Sequence, residues 1–135
     1  MADSSPYVET VRSIIEGIEG SDPARLLHTL ADKVEWNEAE GGPYWNGAPF
    51  VGRDAILTNV FARLPRDFKD LHLQVHRIVG CGDTVLVKGR YTAAAQGTGQ
   101  HVDAQVAHVW DFEGGKVVRW QQYTDTRQFA KIMGS

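Results

Sequence analysis

Glu38 is a carboxylic acid at a position where the surrounding pattern is apolar. Val34, Trp36 and Glu38 alternate along a segment with strand periodicity, so their side chains are predicted to point to one inward face. Burial raises the pKa of a carboxyl group, and a glutamate tuned in this way can act as a general acid or base near pH 7. The alternative is that Glu38 lies near the end of the strand and is solvated there.

His108 is a second polar residue on a predicted interior face. It alternates with Val106 and Trp110 along one side of a strand. A buried imidazole without a hydrogen-bond partner costs about 1–3 kcal/mol, so a partner is expected. Two interpretations stay open. His108 is a core residue bonded to a backbone group or a tyrosine, or it is a pocket donor or proton relay, because imidazole titrates near neutrality.

Two further carboxylates could join this chemistry. Glu40 shares the predicted strand face of Glu38, and two nearby carboxylates raise the pKa of one of them. Asp125 follows the last predicted strand, where it either caps a terminal helix or lies in the pocket.

Aromatic and amide side chains are predicted to line a substrate pocket. Gly89 and Ala93 are small where a packed sheet favours bulk, which indicates room for a ligand beside Tyr91. An aromatic stripe is, however, more often plain core. The predicted pocket residues are Trp36, Glu40, Tyr44, Tyr91, Trp110, Trp120 and Gln122.

Helices in the first half of the chain must position these residues. Apolar residues at helical spacing predict a first helix over residues 8–18. Asp22 suits the cap of a second helix, and Pro23 suits its first position, where the missing N–H costs nothing. A third helix is predicted to begin after Gly52 and to stop at Pro65.

The second half is predicted to contain four strands joined by short glycine turns, followed by a short terminal helix. Helices on one side of an antiparallel sheet define an α+β domain. We therefore predict a cone-shaped two-layer α+β fold, with three N-terminal helices packed on a strongly curved antiparallel sheet. The open end of the cone is the expected pocket.

Composition excludes several classes of protein. The 135 residues carry a formal net charge of −3, which gives no electrostatic reason to bind nucleic acid. No apolar run approaches the roughly 18 residues of a membrane span, and the first residues lack the features of a signal peptide. One domain is predicted over residues 7–134, after a flexible N-terminus at residues 1–6. The single cysteine, Cys81, fits a reducing compartment, so we expect a cytoplasmic protein.

Motifs for cofactor and metal chemistry are absent from the sequence. There is no glycine-rich phosphate loop of the dinucleotide-binding or Walker type. His72 and His76 have the spacing of a helical zinc site, but in a strand they would be about 13 Å apart at roughly 3.3 Å per residue. We expect neither a metal site nor a cofactor.

Several segments resemble the nuclear-transport-factor-two-like superfamily, over residues 7–134. Within it, the ketosteroid-isomerase-like and SnoaL-type polyketide cyclase proteins are the most similar. The segments that carry the resemblance are Asp22-Pro23-Ala24, Leu30 to Trp36, Gly52-Arg53-Asp54-Ala55-Ile56, Gly99-Gln100, His108-Val109-Trp110 and Gly115-Lys116-Val117. The stretches Glu35 to Tyr44 and Gln121 to Thr126 resemble a subgroup that is mostly of unassigned function.

This resemblance implies roles for individual residues. The isomerases place an aspartate base where this chain has Glu38, and a protonated aspartate donor where it has His108. Their tyrosine donor comes from the first helix, where this chain has Ile14. SnoaL-type cyclases carry an acid–base aspartate in the neighbourhood of Asp125. The predicted catalytic residues are therefore Glu38, His108 and Asp125.

Two functions remain open at this stage. The first is a cofactor-free enzyme that uses general acid–base catalysis to isomerise, cyclise or dehydrate a small hydrophobic molecule. The second is a non-catalytic, dimeric module that binds a small ligand, which Ile14 favours because it replaces an oxyanion donor. Because an open sheet face needs a cover, we expect a homodimer formed through the outer face of the strands.

Overall fold

A computed structural model describes residues 5–133. Its helices are Val8–Glu19 (α1), Ala24–Thr29 (α2), Arg53–Ile56 (α3), Leu64–Asp67 (α4) and Thr126–Met133 (α5), with a π-helical turn at Leu57–Phe61. Its strands are Leu30–Asn37 (β1), Phe50–Val51 (β2), Phe68–Cys81 (β3), Thr84–Ala95 (β4), His101–Glu113 (β5) and Lys116–Thr124 (β6). No helix within this range has the length and apolar character that crossing a bilayer requires.

The strands form one curved six-stranded sheet in the order β2-β1-β6-β5-β4-β3. Strands β3 to β6 pair antiparallel in chain order, which confirms the predicted meander. Strand β1 instead pairs in parallel with β6, so that Trp36 lies opposite Trp120. The sheet is therefore mixed, whereas the sequence predicted a wholly antiparallel one. The α+β fold itself, with helices against a curved sheet, is confirmed.

The first two helices follow the prediction closely. Helix α1 buries Val11 and Ile14 completely, in keeping with its apolar stripe. The Asp22 carboxylate accepts a hydrogen bond from the backbone N–H of Ala24, the first residue of α2, at 3.1 Å, and Pro23 is the N-cap residue instead of the predicted first helical one. Helix α2 is short and leads directly into β1 at the buried Leu30.

The third helix was expected to be continuous and to stop at Pro65, and both parts of this prediction are wrong. It divides into α3, the π-helical turn and α4, and Pro65 lies in the first turn of α4 rather than at the end of a helix. Proline is tolerated there because the first N–H groups of a helix have no partner in the helix. The π-helical turn places Val60 and Phe61 against the interior of the cone.

Gly89 is small for a different reason than the one predicted. A Cβ atom at this position would lie 2.1 Å from the backbone oxygen of Gln74, on the neighbouring strand β3. The register of β3 against β4 shifts between Val75 and Arg77, which brings the two backbones close together. Gly89 therefore permits strand pairing and does not make room for a ligand.

Part of the predicted flexible N-terminus, residues 1–4, lies outside the described residues, as does residue 134 of the predicted domain. Ser5 is described and buried, and its hydroxyl accepts a hydrogen bond from the backbone N–H of Tyr7 at 3.1 Å. The flexibility of residues 1–6 stays a prediction.

Candidate functional site

A cavity of about 640 Å³ lies between the sheet and the helices. Helix α1 contributes Ile15 and Ile18 to its wall, and the C-terminal helix α5 contributes Phe129. The sheet contributes aromatic side chains from β1, β4, β5 and β6. The wall is mainly apolar, and none of the Lys and Arg side chains of residues 5–133 lines it. Such a cavity suits an uncharged, hydrophobic molecule.

Glu38 lies in this cavity immediately after β1 ends. Only 9% of it is exposed, and its Oε2 accepts a hydrogen bond from Nε1 of Trp36 at 2.8 Å. Burial raises the pKa of Glu38 to about 7, against the opposing effects of the Trp36 hydrogen bond and the positive charge of Arg63. The carboxyl group therefore exchanges a proton near neutral pH.

Arg63 and Asp67 organise the loop beside Glu38. The hydroxyl of Tyr44 donates to Oδ2 of Asp67 at 2.8 Å, and the Arg63 guanidinium lies 4.2 Å from the centre of the Tyr44 ring. Burial and the Asp67 carboxylate raise the pKa of Tyr44, so its hydroxyl stays protonated. No sequence motif marks Arg63 or Asp67 as a site residue. The only feature of the sequence that relates these two residues is their separation of four positions, which is common for oppositely charged residues on helices.

His108 is connected to the rest of the site through Tyr91. Nε2 of His108 lies 2.6 Å from the Tyr91 hydroxyl oxygen. On its other side, the same oxygen accepts a hydrogen bond from Nε2 of Gln122 at 2.9 Å. Oε1 of Gln122 accepts from the backbone N–H of Ala39 at 3.2 Å. A chain of hydrogen bonds thus runs from the backbone of Ala39, the residue after Glu38, through Gln122 and Tyr91 to the imidazole of His108.

Burial keeps His108 neutral. It is 5% exposed, and burial lowers the pKa of its imidazole to about 3. Its Nδ1 is also buried, and no acceptor for this atom exists among residues 5–133. His108 is therefore an uncharged imidazole with one nitrogen in the Tyr91 chain and the other without a protein partner.

The indole rings form the inner wall of the cavity. Trp36 and Trp120 stack across the parallel strand pair with ring centres 3.8 Å apart and planes 16° from parallel. Trp110 meets Trp36 edge-on at 6.3 Å, and the His108 ring lies 4.8 Å from Trp120. The Nε1 groups of Trp110 and Trp120 are buried and have no acceptor among the described residues. The wall is therefore dense and fixes the orientation of His108.

Most of the predicted site residues meet in this one cavity. Glu38 and His108 both line it, as the inward-facing pattern predicted. The predicted pocket residues that also line it are Trp36, Tyr44, Tyr91, Trp110, Trp120 and Gln122. Their catalytic and binding roles remain proposals.

Glu40 and Asp125 do not line the cavity, contrary to prediction. After β1 the backbone N–H of Gly42 donates to the carbonyl oxygen of Ala39 at 3.0 Å, and this turn leaves Glu40 exposed. Asp125 directly precedes α5 and is exposed, and its Oδ2 accepts a hydrogen bond from Nε2 of Gln128 at 2.9 Å. Asp125 therefore belongs to the start of the helix, which was the other interpretation of its position.

Three polar residues on the rim of the cavity were missed. Glu19, Ser21 and Asp70 line it, and Ser21 and Asp70 have positive φ angles of 62° and 57°. Asp70 falls where the register of β3 shifts against β4. Strand alternation cannot predict a bulge of this kind. Within residues 5–133, no three His, Cys, Asp or Glu side chains are placed to hold a metal ion.

Comparison with protein families gives one match along most of the chain. The model of a SnoaL-like domain matches residues 11–120. No curated protein sequence matches the chain.

Three solved structures illustrate the structural similarity. An NTF2-like protein from Burkholderia thailandensis is 32% identical, with a TM-score of 0.87 over 93% of this chain and 95% of that one. A candidate SnoaL-like polyketide cyclase from a Jannaschia species is 21% identical, with a TM-score of 0.83 over 100% and 99% of the two chains. A protein from Catenulispora acidiphila with a ketosteroid isomerase-like fold, in complex with trimethylamine, is 19% identical, with a TM-score of 0.76 over 97% and 95%. The last two support the fold alone.

Proposed function

The chain belongs to the SnoaL-like domain family, and from this premise we propose that it is a cofactor-free acid–base catalyst acting on a small hydrophobic molecule. The observation that carries the proposal is that Glu38, nine-tenths buried with a pKa of about 7, shares one cavity with His108. The reactions that fit are isomerisation, cyclisation and dehydration, because each needs a proton to be removed at one atom and supplied at another.

In this proposal Glu38 is the general base. Its carboxylate removes a proton from a carbon next to a substrate carbonyl. The electron pair of that C–H bond forms a C=C bond to the carbonyl carbon, and the π pair of the carbonyl group moves to its oxygen to give an enolate. The resulting carboxylic acid then returns the proton to a different atom of the same molecule. A pKa near 7 suits both steps at neutral pH, and proton transfer by a placed side chain contributes typically about 10²–10⁴-fold to the rate.

His108 is the proposed donor to the developing oxyanion. Its imidazole is neutral, and its Nδ1 has no acceptor within residues 5–133. A donor held in an apolar site stabilises an oxyanion far more than water does, and removal of one such donor costs typically about 10²–10³-fold in turnover. Trp110 and Trp120 pack against the imidazole and hold its orientation, but they also leave Nδ1 buried, so this role requires a local movement of the wall when the substrate binds.

The substrate proposed here is small, hydrophobic and without a negative charge. The cavity wall is mainly apolar and carries carboxylates at Glu19, Glu38 and Asp70, whereas Arg63, whose charge acts on Glu38, stacks on Tyr44 and is not part of the lining. A carboxylate or phosphate on the substrate would therefore be buried without a counter-charge, which is costly.

Solvent deuterium exchange tests this function directly. Cyclic ketones and enones are incubated with the protein in heavy water, and exchange at the carbon next to the carbonyl is followed by proton NMR. We expect catalysed exchange with the native protein and loss of at least about 100-fold in Glu38→Gln. Glu40→Gln is the matched control, because it makes the same change two residues away on an exposed side chain, and it should retain full exchange. Absence of exchange across the panel would refute the proposal.

The second candidate is a non-catalytic module that binds a small ligand in the same cavity. It is favoured by Ile14, which is 1% exposed and belongs to the core cluster. The tyrosine donor implied by the isomerase resemblance is therefore missing. Ligand binding that is measurable by tryptophan fluorescence, with no deuterium exchange for any ligand that binds, would support this module instead of the enzyme.

We also propose that the protein is a cytoplasmic homodimer formed through the outer face of the sheet. Val79, Leu86 and Val109 lie side by side across β3, β4 and β5 on that face, and Leu86 is 42% exposed. Sedimentation should therefore give twice the monomer mass of 15.0 kDa, and Leu86→Glu should give the monomer. A native protein that is monomeric at micromolar concentration would contradict this assembly.

A further inference from the structure

We propose that Gln122 is a positioning residue that holds His108 in the tautomer with its proton on Nδ1. The effect passes from the backbone of Ala39 through Gln122 and Tyr91 to the imidazole. The inference rests on the proposed function only for its catalytic consequence. The tautomer itself is a property of the free protein.

The orientation of the Gln122 amide follows from Ala39. A backbone N–H can only donate, so the atom of Gln122 that lies 3.2 Å from the Ala39 nitrogen must be the carbonyl oxygen Oε1. The amide nitrogen Nε2 therefore faces Tyr91, at 2.9 Å from its hydroxyl oxygen. This removes the ambiguity between the two ends of a glutamine side chain.

The direction of the next hydrogen bond follows from the first. The Gln122 amide nitrogen is a donor, so the Tyr91 oxygen accepts from it and keeps its own proton for the other neighbour. The hydrogen bonds of the Tyr91 hydroxyl within residues 5–133 are those to Gln122 and to Nε2 of His108 at 2.6 Å, so the hydroxyl proton is assigned to the second bond and Nε2 is the unprotonated, accepting nitrogen. A neutral imidazole carries one proton, which is then on Nδ1.

This chain of hydrogen bonds thereby determines whether Nδ1 of His108 is a hydrogen-bond donor or an acceptor. With the proton on Nδ1, the nitrogen without a partner among residues 5–133 is a donor, as an oxyanion requires. This nitrogen is buried, so contact with an oxyanion requires the surrounding side chains to move apart. With the proton on Nε2, the same atom would present a lone pair and repel an oxyanion. Because Ala39 follows Glu38 directly, one set of hydrogen bonds fixes both the donor and the start of the loop that carries the proposed base.

Gln122→Glu is the decisive variant because it keeps the size of the side chain and reverses one hydrogen bond. At alkaline pH the new carboxylate can still accept from Ala39, but its second oxygen can only accept from the Tyr91 hydroxyl. The Tyr91 oxygen must then accept from His108, which moves the imidazole proton to Nε2. Nitrogen-15 NMR of labelled histidine distinguishes the two tautomers without any substrate.

The expected result is an unprotonated Nε2 in the native protein and an unprotonated Nδ1 in Gln122→Glu at alkaline pH. At acid pH the new side chain becomes a carboxylic acid that can donate like the amide, and the native tautomer should return. Gln121→Glu is the matched control on the adjacent residue, whose amide nitrogen donates instead to the Gln122 backbone oxygen, and it should leave the tautomer unchanged. A native protein with its proton on Nε2, or an alkaline Gln122→Glu variant with the native tautomer, would overturn the inference.

The catalytic consequence is measured in the deuterium exchange assay. Gln122→Glu should lower turnover by about 10²–10³-fold at alkaline pH, because an oxyanion donor is lost, with a smaller change in KM. If Gln122→Glu does not fold, Gln122→Met provides the second variant, and it should give a mixture of tautomers because Tyr91 is free to rotate its proton. A single native tautomer in Gln122→Met would also overturn the inference. If the native protein catalyses no exchange while the tautomers behave as expected, the proposed function fails and the role of Gln122 stands.

Discussion

The Tyr91 hydroxyl oxygen lies 2.6 Å from Nε2 of His108, although the two residues are not opposite each other in the sheet. His108 lies opposite Val87 on β4 and opposite Gln122 on β6, whereas Tyr91 lies opposite Ala104. The tyrosine thus reaches diagonally along the inner face of the sheet to meet the imidazole. A polar chain is built in this way inside a wall that is otherwise apolar.

Removal of the Tyr91 hydroxyl should remove the hydrogen bond to His108 and keep the aromatic ring in the cavity wall. Tyr91→Phe leaves Nε2 of His108 without its donor, and we expect a loss of about 1–3 kcal/mol in the free energy of unfolding. Turnover in the exchange assay should fall by about 10-fold or more, because the imidazole is no longer held in one tautomer. Urea denaturation and the exchange assay measure the two effects. Tyr123→Phe, on an exposed tyrosine of β6, should change neither, and equal turnover in both variants would contradict the role of Tyr91.

Burial of Glu38 should make the native protein less stable as pH rises. The pKa of Glu38 is about 7 in the folded protein and 4.5 when solvated, so the folded state favours the protonated carboxyl. The stability associated with this preference is complete below pH 4.5 and is lost as pH rises through 7, by about 3 kcal/mol at 1.4 kcal/mol per pKa unit.

Glu38→Gln tests this linkage because an amide does not ionise. The stability difference between Glu38→Gln and the native protein should grow in favour of the variant between pH 4.5 and 8, as measured by urea denaturation across that range. Glu40→Gln is the control for the same change at an exposed site and should follow the native curve. Parallel curves for Glu38→Gln and the native protein would contradict the burial of a titrating carboxyl group.

Burial of His108 should make the native protein less stable as pH falls. The pKa of His108 is lowered from 6.5 to about 3, so folding favours the neutral imidazole. The stability it contributes is complete above pH 6.5 and is lost progressively as pH falls toward 3. When the pH is lowered from 6.5 to 4, the free energy of unfolding should therefore fall less in His108→Gln than in the native protein. His76→Gln, on an exposed strand residue, is the control, and its curve should match the native one.

The Trp36 indole should set the pH at which the proposed catalysis begins. Its N–H donates to the Glu38 carboxylate at 2.8 Å and lowers the pKa of Glu38 relative to burial alone. If deprotonated Glu38 is the base, exchange activity should rise with pH around a midpoint near 7.

Trp36→Phe should move that midpoint to higher pH, because the carboxylate loses its hydrogen-bond donor. The pH profile of kcat/KM for deuterium exchange measures the shift, which a mere loss of packing would not produce. Trp45→Phe, at an exposed tryptophan, should leave the profile in place. An unchanged midpoint in Trp36→Phe would show that the indole does not tune Glu38.

Strand alternation was sufficient to predict the two central residues of the site. Glu38 and His108 follow buried aromatic or aliphatic neighbours at a spacing of two, and both are buried against the cavity. Alternation continues one residue past β1, to Glu38, but fails at Glu40, where the chain turns between Ala39 and Gly42. The position of such a turn depends on strand pairing that a single sequence does not reveal.

The connections between strands could not be read from periodicity. The parallel pairing of β1 with β6 joins residues far apart in the chain, and the link from Gln122 to Tyr91 depends on how far two side chains reach across β5. Pro65 was interpreted as a helix stop because a proline ends a helix or begins one, and the local sequence fits both.

The pairing of β1 with β6 also determines when the cavity can come into existence during synthesis. The contacts of Asn37 with Trp120 and of Ala39 with Gln122 each span 83 positions of the chain. A ribosome must therefore synthesise the chain through β6 before the proposed base and its hydrogen-bond partners can assemble, and nascent chains that stop before Lys116 should lack any ligand affinity.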